Sequence, residues 1–82
     1  MNILLVGDDR RVAHSVAHDL RSAGHLVTIA HSCSDARLIA SYFDLGVFDL
    51  LLVDGSGLEF AGEMLAAGII SAALVTPGGS AA

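Results

Sequence analysis

Apolar residues recur along this chain in short runs separated by polar and glycine-containing segments. The run at residues 3–6, Ile-Leu-Leu-Val, has no polar alternation, which is typical of a strand covered on both faces in a parallel sheet. Residues 10–23 instead divide into an apolar and a polar arc at helical spacing. Asp8 and Asp9 lie between the two segments as candidate N-caps. The pattern therefore predicts a strand at residues 2–7 followed by an amphipathic helix.

The remaining pattern repeats this alternation. Residues 25–30 and 69–76 are predicted strands, and residues 58–67 are a predicted helix. Ser32 or Ser34 is placed to cap a further helix between them. The apolar residues of that helix are Ala36, Leu38, Ile39, Tyr42 and Phe43.

The third strand is predicted at residues 48–54. Its apolar run Leu-Leu-Leu-Val directly precedes Asp54, and Asp44-Leu45-Gly46 is expected to break the helix before it. Alternating apolar strands and helices predict an α/β fold, in which a parallel sheet carries helices on both faces. Residues 1–76 are expected to form one domain, and residues 77–82 a flexible tail.

Composition narrows the classes of function. The formal net charge of −5 argues against direct nucleic-acid binding. No apolar run approaches the ~20 residues of a membrane span, and no basic residue precedes the first run as in a signal peptide. A single cysteine, Cys33, fits a reducing cytoplasm. The apolar fraction of 54% and mean hydropathy of +0.68 predict that some apolar surface lies at an interface.

Carboxylates follow two of the predicted strands. Asp8 and Asp9 come after the first strand, and Asp54 ends the third. Open α/β sheets bind ligands at the carboxyl ends of strands, where the strand order reverses. Converging carboxylates require a cation between them, and Mg²⁺ accepts a few carboxylates, water and a phosphate oxygen. The pattern favours phosphoryl transfer to a carboxylate, against the simpler alternative that each aspartate only caps the next helix.

Four segments together resemble the receiver domains of response regulators, including those of the winged-helix class and the cell-cycle regulators. The opening is Met-Asn-Ile-Leu-Leu-Val-Gly-Asp-Asp-Arg-Arg-Val-Ala, and the turn into the second strand is Leu-Arg-Ser-Ala-Gly-His-Leu-Val. The segment similar to the phospho-acceptor strand is Phe-Asp-Leu-Leu-Leu-Val-Asp. The segment similar to the fourth strand is Ala-Gly-Ile-Ile-Ser-Ala-Ala-Leu-Val-Thr.

The resemblance implies a flavodoxin-like, three-layer α/β/α fold with strand order 2-1-3-4. It also implies that the sheet is truncated after the fourth strand and lacks the last α-β-α unit. The implied function is two-component phosphorelay signalling by a domain that is not an enzyme. Asp54 would be the phospho-acceptor and Thr76 the switch hydroxyl. Asp8, Asp54 and the backbone carbonyl of Ser56, with Asp9 as a further acid, would hold a weakly bound Mg²⁺.

The resemblance also implies partners. A histidine kinase or a histidine phosphotransfer protein would dock on the first helix, through Arg10, Arg11, His14, His18 and Arg21. His14 and His18 within this set are four residues apart, a spacing that also permits zinc binding. Because no third ligand is nearby, a solvated helix face is the simpler interpretation. The fourth strand would be an apolar edge, so we expect a homodimer or a domain-swapped oligomer through it. No nucleic-acid or membrane partner is expected.

The sequence departs from the family pattern in two chemically important respects. Gly7 stands where the family usually has an acid, and the 82 residues contain no lysine to pair with a phosphoryl group. The alternative function is therefore a phosphorylation-independent pseudo-receiver, an interaction module that modulates a kinase, a phosphotransfer protein or a full-length regulator. A hydrolase is a weaker alternative, because Ser56 stands where aspartate-nucleophile phosphatases carry their second acid.

Overall fold

The computed structural model describes residues 1–77, in which a four-stranded parallel sheet carries helices on both faces. In chain order the elements are β1 (Asn2–Val6), α1 (Arg10–Ser22), β2 (Leu26–Ala30), α2 (Cys33–Arg37), β3 (Phe43–Asp49), β4 (Leu51–Leu52), β5 (Gly55–Ser56), α3 (Gly57–Ala66) and β6 (Ile70–Thr76). Residues 78–82, most of the expected tail, lie outside the described residues.

The sheet confirms the predicted fold class and strand order. Its strands run β2-β1-β3-β6, and every neighbouring pair is parallel. Because β6 is the fourth strand of this sheet, the order is the expected 2-1-3-4. The strands β4 and β5 form a separate antiparallel pair between β3 and α3.

Each face of the sheet has its own apolar core. On the face of α2 and α3, Phe48, Leu4 and Val6 are completely buried and pack with Phe60 and Met64. On the opposite face, a smaller cluster is formed by Leu5, Ala13, Ala17, Val27, Ile29 and Val47. The alternation of faces along β1 explains how one uninterrupted apolar run serves both cores.

The predicted third strand at residues 48–54 is wrong, since the strand is Phe43–Asp49. Phe43 and Phe48 are 5% and 0% exposed, whereas Leu51 and Val53 are each 75% exposed. Aromatic side chains bury more apolar area than leucine or valine, and this placement puts both phenylalanines in the core. The Leu-Leu-Leu-Val run therefore follows the strand and enters the β4–β5 hairpin.

Because β3 begins earlier in the chain than predicted, the helix before it is shorter than predicted. Ser32 caps α2 as predicted, accepting from Asp35 N at 3.0 Å. The helix then ends at Arg37. Asp44, which was expected to break this helix, lies within β3 instead. Its carboxylate accepts a hydrogen bond from Asn2 N at 2.7 Å. No helix within residues 1–77 has the length and apolar character needed to cross a membrane.

Candidate functional site

The last residues of β3 and β6 meet at the carboxyl edge of the sheet. β3 ends at Asp49, which is in register with Thr76 at the end of β6. The residue before it, Phe48, is in register with Val6, the last residue of β1. Asp49 is therefore the carboxylate that the fold places at the end of the third strand, and the prediction that Asp54 ends this strand is wrong.

Two neighbouring residues determine where the Asp49 carboxylate lies: Thr76 donates a hydrogen bond to it, and Gly7 leaves space for it. Thr76 Oγ1 donates a hydrogen bond to Asp49 Oδ1 at 3.0 Å. On the other side, a Cβ atom built on Gly7 would lie only 2.7 Å from Asp49 Oδ2. Because real Cβ atoms do not approach an oxygen so closely, the carboxylate occupies space that any side chain at position 7 would enter. Gly7 thus permits the observed Asp49–Thr76 pair.

The acids after β1 have different positions. Asp9 is the N-cap of α1, and its Oδ1 accepts from Val12 N at 3.2 Å. Asp9 also lines, together with Gly7, Asp49 and Thr76, a cavity of about 210 Å³ beside α1. Asp8 precedes it in the chain and is exposed. The predicted N-cap is confirmed for Asp9, and one carboxylate oxygen of Asp9 is already engaged in that role.

The carboxylates at this edge fit only a weakly held metal. Within residues 1–77, no three or more His, Cys, Asp or Glu side chains are grouped as metal ligands. That excludes a closed protein cage among the described residues. Mg²⁺, however, keeps several waters and commonly uses one or two carboxylates. Asp49 and Asp9, which line one cavity, match that class of oxygen donors.

Asp54 has a structural role that the sequence did not indicate. Its carboxylate accepts hydrogen bonds from Cys33 N at 2.9 Å, from Ser34 N at 3.0 Å and from Ser34 Oγ at 2.9 Å. These bonds, the two backbone donors first, hold the pKa of Asp54 well below its ordinary range. Asp54 thereby ties the β4–β5 hairpin to the N-terminus of α2, 20 residues earlier in the chain.

The stabilisation contributed by Asp54 is expected to disappear in acid. Its pKa is lower in the folded state than the ordinary value of 3.8. The contribution is therefore complete above that value and is lost as the pH falls toward the folded-state pKa, because the unfolded state then binds more protons. Urea unfolding at pH 7 and at pH 3 should show a smaller acid-induced loss of stability for Asp54→Asn than for the wild type. Equal losses in the two proteins would contradict this role.

Ser56 and Thr76 also have defined places. Ser56, expected to offer its carbonyl to a metal, is the N-cap of α3, and its side chain accepts from Glu59 N at 3.3 Å. Thr76 ends the fourth strand of the sheet as predicted, but its hydroxyl contacts Asp49 rather than Asp54. The geometry therefore brings together Asp9, Asp49 and Thr76, and separates from them the hairpin residues Asp54 and Ser56.

The expected docking residues all lie exposed on α1, namely Arg10, Arg11, His14, His18 and Arg21. Arg21 is partly committed, because its Nη2 donates to the carbonyl oxygen of Val27 at 2.7 Å. His18 Nδ1 lies 3.6 Å from Asp19 Oδ1. The polar arc predicted from the sequence is therefore present as a solvent-facing surface.

Solved structures that are similar to this chain in fold include response regulators. No protein-family model and no curated protein matches the sequence. The response regulator protein TrrA from Thermotoga maritima is 25% identical with a TM-score of 0.77, over 90% of this chain and 64% of TrrA. The HemR receiver domain from Leptospira biflexa is 28% identical with a TM-score of 0.75, over 96% of this chain and 67% of HemR. The chemotaxis response regulator CheY4 of Vibrio cholerae, at 20% identity and a TM-score of 0.73 over 93% of this chain and 86% of CheY4, supports the fold alone.

These similarities agree with the observed strand order. The chain spans 64% of the length of TrrA and 67% of the length of HemR. The predicted resemblance to receiver domains is confirmed, together with the predicted flavodoxin-like sheet. The chain is therefore a receiver-like domain with the fold of response regulators.

Proposed function

We propose that this domain acts in two-component phosphorelay signalling and accepts a phosphoryl group on Asp49. The observation that carries the proposal is the position of Asp49 at the carboxyl end of β3, with the Thr76 hydroxyl 3.0 Å from its Oδ1. Asp54, the acceptor expected from the sequence, is a poorer candidate because three donors at the start of α2 already engage its carboxylate.

The proposed reaction is a direct transfer. A carboxylate oxygen of Asp49 attacks the phosphorus of a phosphohistidine or a small phosphodonor, and a new P–O bond forms. The bond between phosphorus and the leaving group breaks, and the leaving group departs with the electron pair. The product is an aspartyl phosphate, whose oxygens can accept the hydrogen bond that Thr76 donates to the free carboxylate. The domain is thus the recipient of the group rather than an enzyme that turns over substrate.

The test is intact-mass analysis after incubation with a small phosphodonor and Mg²⁺. We expect the wild type to gain the mass of one phosphoryl group and Asp49→Asn to gain none. Asp54→Asn is the matched control and should be modified like the wild type. A gain that persists in Asp49→Asn and is lost in Asp54→Asn would reverse the assignment.

Mg²⁺ is proposed as a weakly bound cofactor at the same edge. Asp49 and Asp9 would supply carboxylate oxygens, with the exposed Asp8 as a further acid. When bound, the ion would neutralise charge on the transferred group. TrrA was solved in complex with Mg²⁺-BeF, which supports this choice of metal.

Partners are proposed at two surfaces. A histidine kinase or a histidine phosphotransfer protein would dock on the exposed polar face of α1. A second copy of the chain would pair with the outer edge of β6, the last strand of the described sheet, since apolar edges are seldom left open. Native mass measured on the same sample would distinguish a monomer from a dimer. We place the protein in the cytoplasm, where such partners act.

A pseudo-receiver that binds partners without phosphorylation is the second candidate. The observation that favours it is the contact around Gly7, where the family usually has an acid and Asp49 Oδ2 fills the space. Absence of any mass gain in the wild type, together with retained binding of a kinase or phosphotransfer protein, would select this function.

A further inference from the structure

Two histidines meet near the carboxyl edge of the sheet, separate from Asp49 and Thr76. His14 lies on α1, and His31 directly follows β2. Their ring centroids are 6.2 Å apart, and the ring planes make an angle of 38°. The sequence pattern had singled out His14 with His18 on one helix. The fold instead pairs His14 with a residue from another element.

The hydrogen-bond partner of His31 determines which of its ring nitrogens carries the hydrogen. His31 Nδ1 lies 3.0 Å from the backbone carbonyl oxygen of Gly7. A carbonyl oxygen can only accept, so Nδ1 carries the hydrogen and donates it. In the neutral ring Nε2 then keeps its lone pair. Histidines that ligate metals usually make this type of hydrogen bond through their other nitrogen, because it fixes the tautomer and orients the ring.

The separation of the rings suits one ion between them. Imidazole nitrogens bind Zn²⁺ at ~2.0–2.1 Å, with the two rings on different sides of the ion. At the tetrahedral angle that Zn²⁺ prefers, the two ring centroids would be about 5 Å apart. The observed 6.2 Å is wider, so His14 must rotate toward His31 to complete the site. His14 is exposed on the helix surface and free to make that rotation, whereas His31 is half-buried and oriented by Gly7.

We propose that His14 and His31 together bind a divalent transition-metal ion of the class that prefers imidazole, namely Zn²⁺, Ni²⁺ or Cu²⁺. The described residues 1–77 group no third His, Cys, Asp or Glu with the pair, so water fills the remaining positions. Such an ion joins α1 to the end of β2 and stabilises the folded state increasingly as its free concentration rises above the dissociation constant. The proposal does not depend on phosphoryl transfer at Asp49.

The test is calorimetric titration of the whole 82-residue protein with Zn²⁺ alone. We expect saturable binding of one ion per chain. His14→Ala and His31→Ala should each weaken it about tenfold or more, because even removal of a residue that only orients a ligand costs 10–100-fold. The matched controls His18→Ala and His25→Ala should bind like the wild type. Asp49→Asn should also bind normally, which separates this site from the proposed Mg²⁺ site.

Two further variants distinguish metal binding from ring packing. His14→Phe keeps an aromatic ring beside His31 but removes the nitrogens, so its Zn²⁺ affinity should fall as in His14→Ala. His31→Gln keeps a donor for the Gly7 carbonyl and guards against misfolding of His31→Ala. The proposal is overturned by wild-type affinity in His14→Phe, by an equal loss in His18→Ala, or by the absence of saturable binding in the wild type.

Discussion

Gly57→Ala is expected to lower the free energy of unfolding by about 3 kcal/mol or more, because overpacking against rigid backbone is strongly destabilising. A Cβ atom at position 57 would overlap the carbonyl oxygen of Asp49 and lie 2.7 Å from its carbonyl carbon. Gly57 is also anchored, since its N–H donates to Leu50 O at 2.8 Å. Neither backbone segment can yield without moving the end of β3 or the start of α3.

The control for this variant is Gly62→Ala in the same helix. A Cβ atom at position 62 meets nothing within 4 Å, and alanine in a helix interior is favoured over glycine by ~0.5–1 kcal/mol. Urea unfolding should therefore move in opposite directions for the two variants. Similar midpoints for Gly57→Ala and the wild type would contradict the close approach of α3 to Asp49. If Gly57→Ala still folds, the phosphorylation that we propose at Asp49 should also decrease, because the backbone of Asp49 is displaced.

Phe48→Ala is expected to destabilise the domain by about 3–5 kcal/mol, the usual cost of removing a buried phenylalanine ring. Phe48 is 0% exposed. It packs edge-to-face on Phe60, with ring centroids 5.8 Å apart. On its other side the ring lies over Gly46, where a Cβ atom would be only 2.5 Å from it. A domain with the usual stability of ~5–15 kcal/mol would lose a large part of it.

Leu51→Ala is the matched control because it tests the register of the third strand. If the strand were at residues 48–54, Leu51 would lie at its centre. In the structure Leu51 is 75% exposed, and exposed substitutions of this kind change stability by only about ±0.5 kcal/mol. Thermal or urea unfolding of both variants measures the difference. A loss in Leu51→Ala comparable to that in Phe48→Ala would contradict the observed strand.

Local patterns predicted the first strand correctly and misplaced the third. The first strand was predictable because both faces of Ile3–Val6 are buried, leaving an uninterrupted apolar run. The third strand was not, because Asp44 and Gly46 interrupt it while the more apolar Leu-Leu-Leu-Val follows it. What decides between them is the burial of Phe43 and Phe48 against helix α3, a contact that lies beyond any local window.

The residues of the candidate site were predicted only in part, because some of their positions depend on contacts between distant parts of the chain. Thr76 was placed correctly at the end of the fourth strand, and Asp9 was correctly expected to cap a helix. The placement of Asp54 at the end of the third strand was wrong, because it followed from the wrong bounds of that strand. The available signal for Asp49 was its position after the alternating residues Phe43, Leu45 and Val47, which have the period of a strand. The partners of Asp54 at the start of α2 could not be inferred, because they depend on how the hairpin folds back.

The hydrogen bond between Thr76 and Asp49 links the Asp49 carboxylate to the outermost strand of the described sheet. Thr76 is the last residue of β6, and β6 is the outermost strand of the described sheet. A group attached to Asp49 would compete for the Thr76 hydroxyl and so reach the strand on which a neighbour would assemble. The chemical state of the Asp49 carboxylate would then affect how readily a further strand pairs with β6.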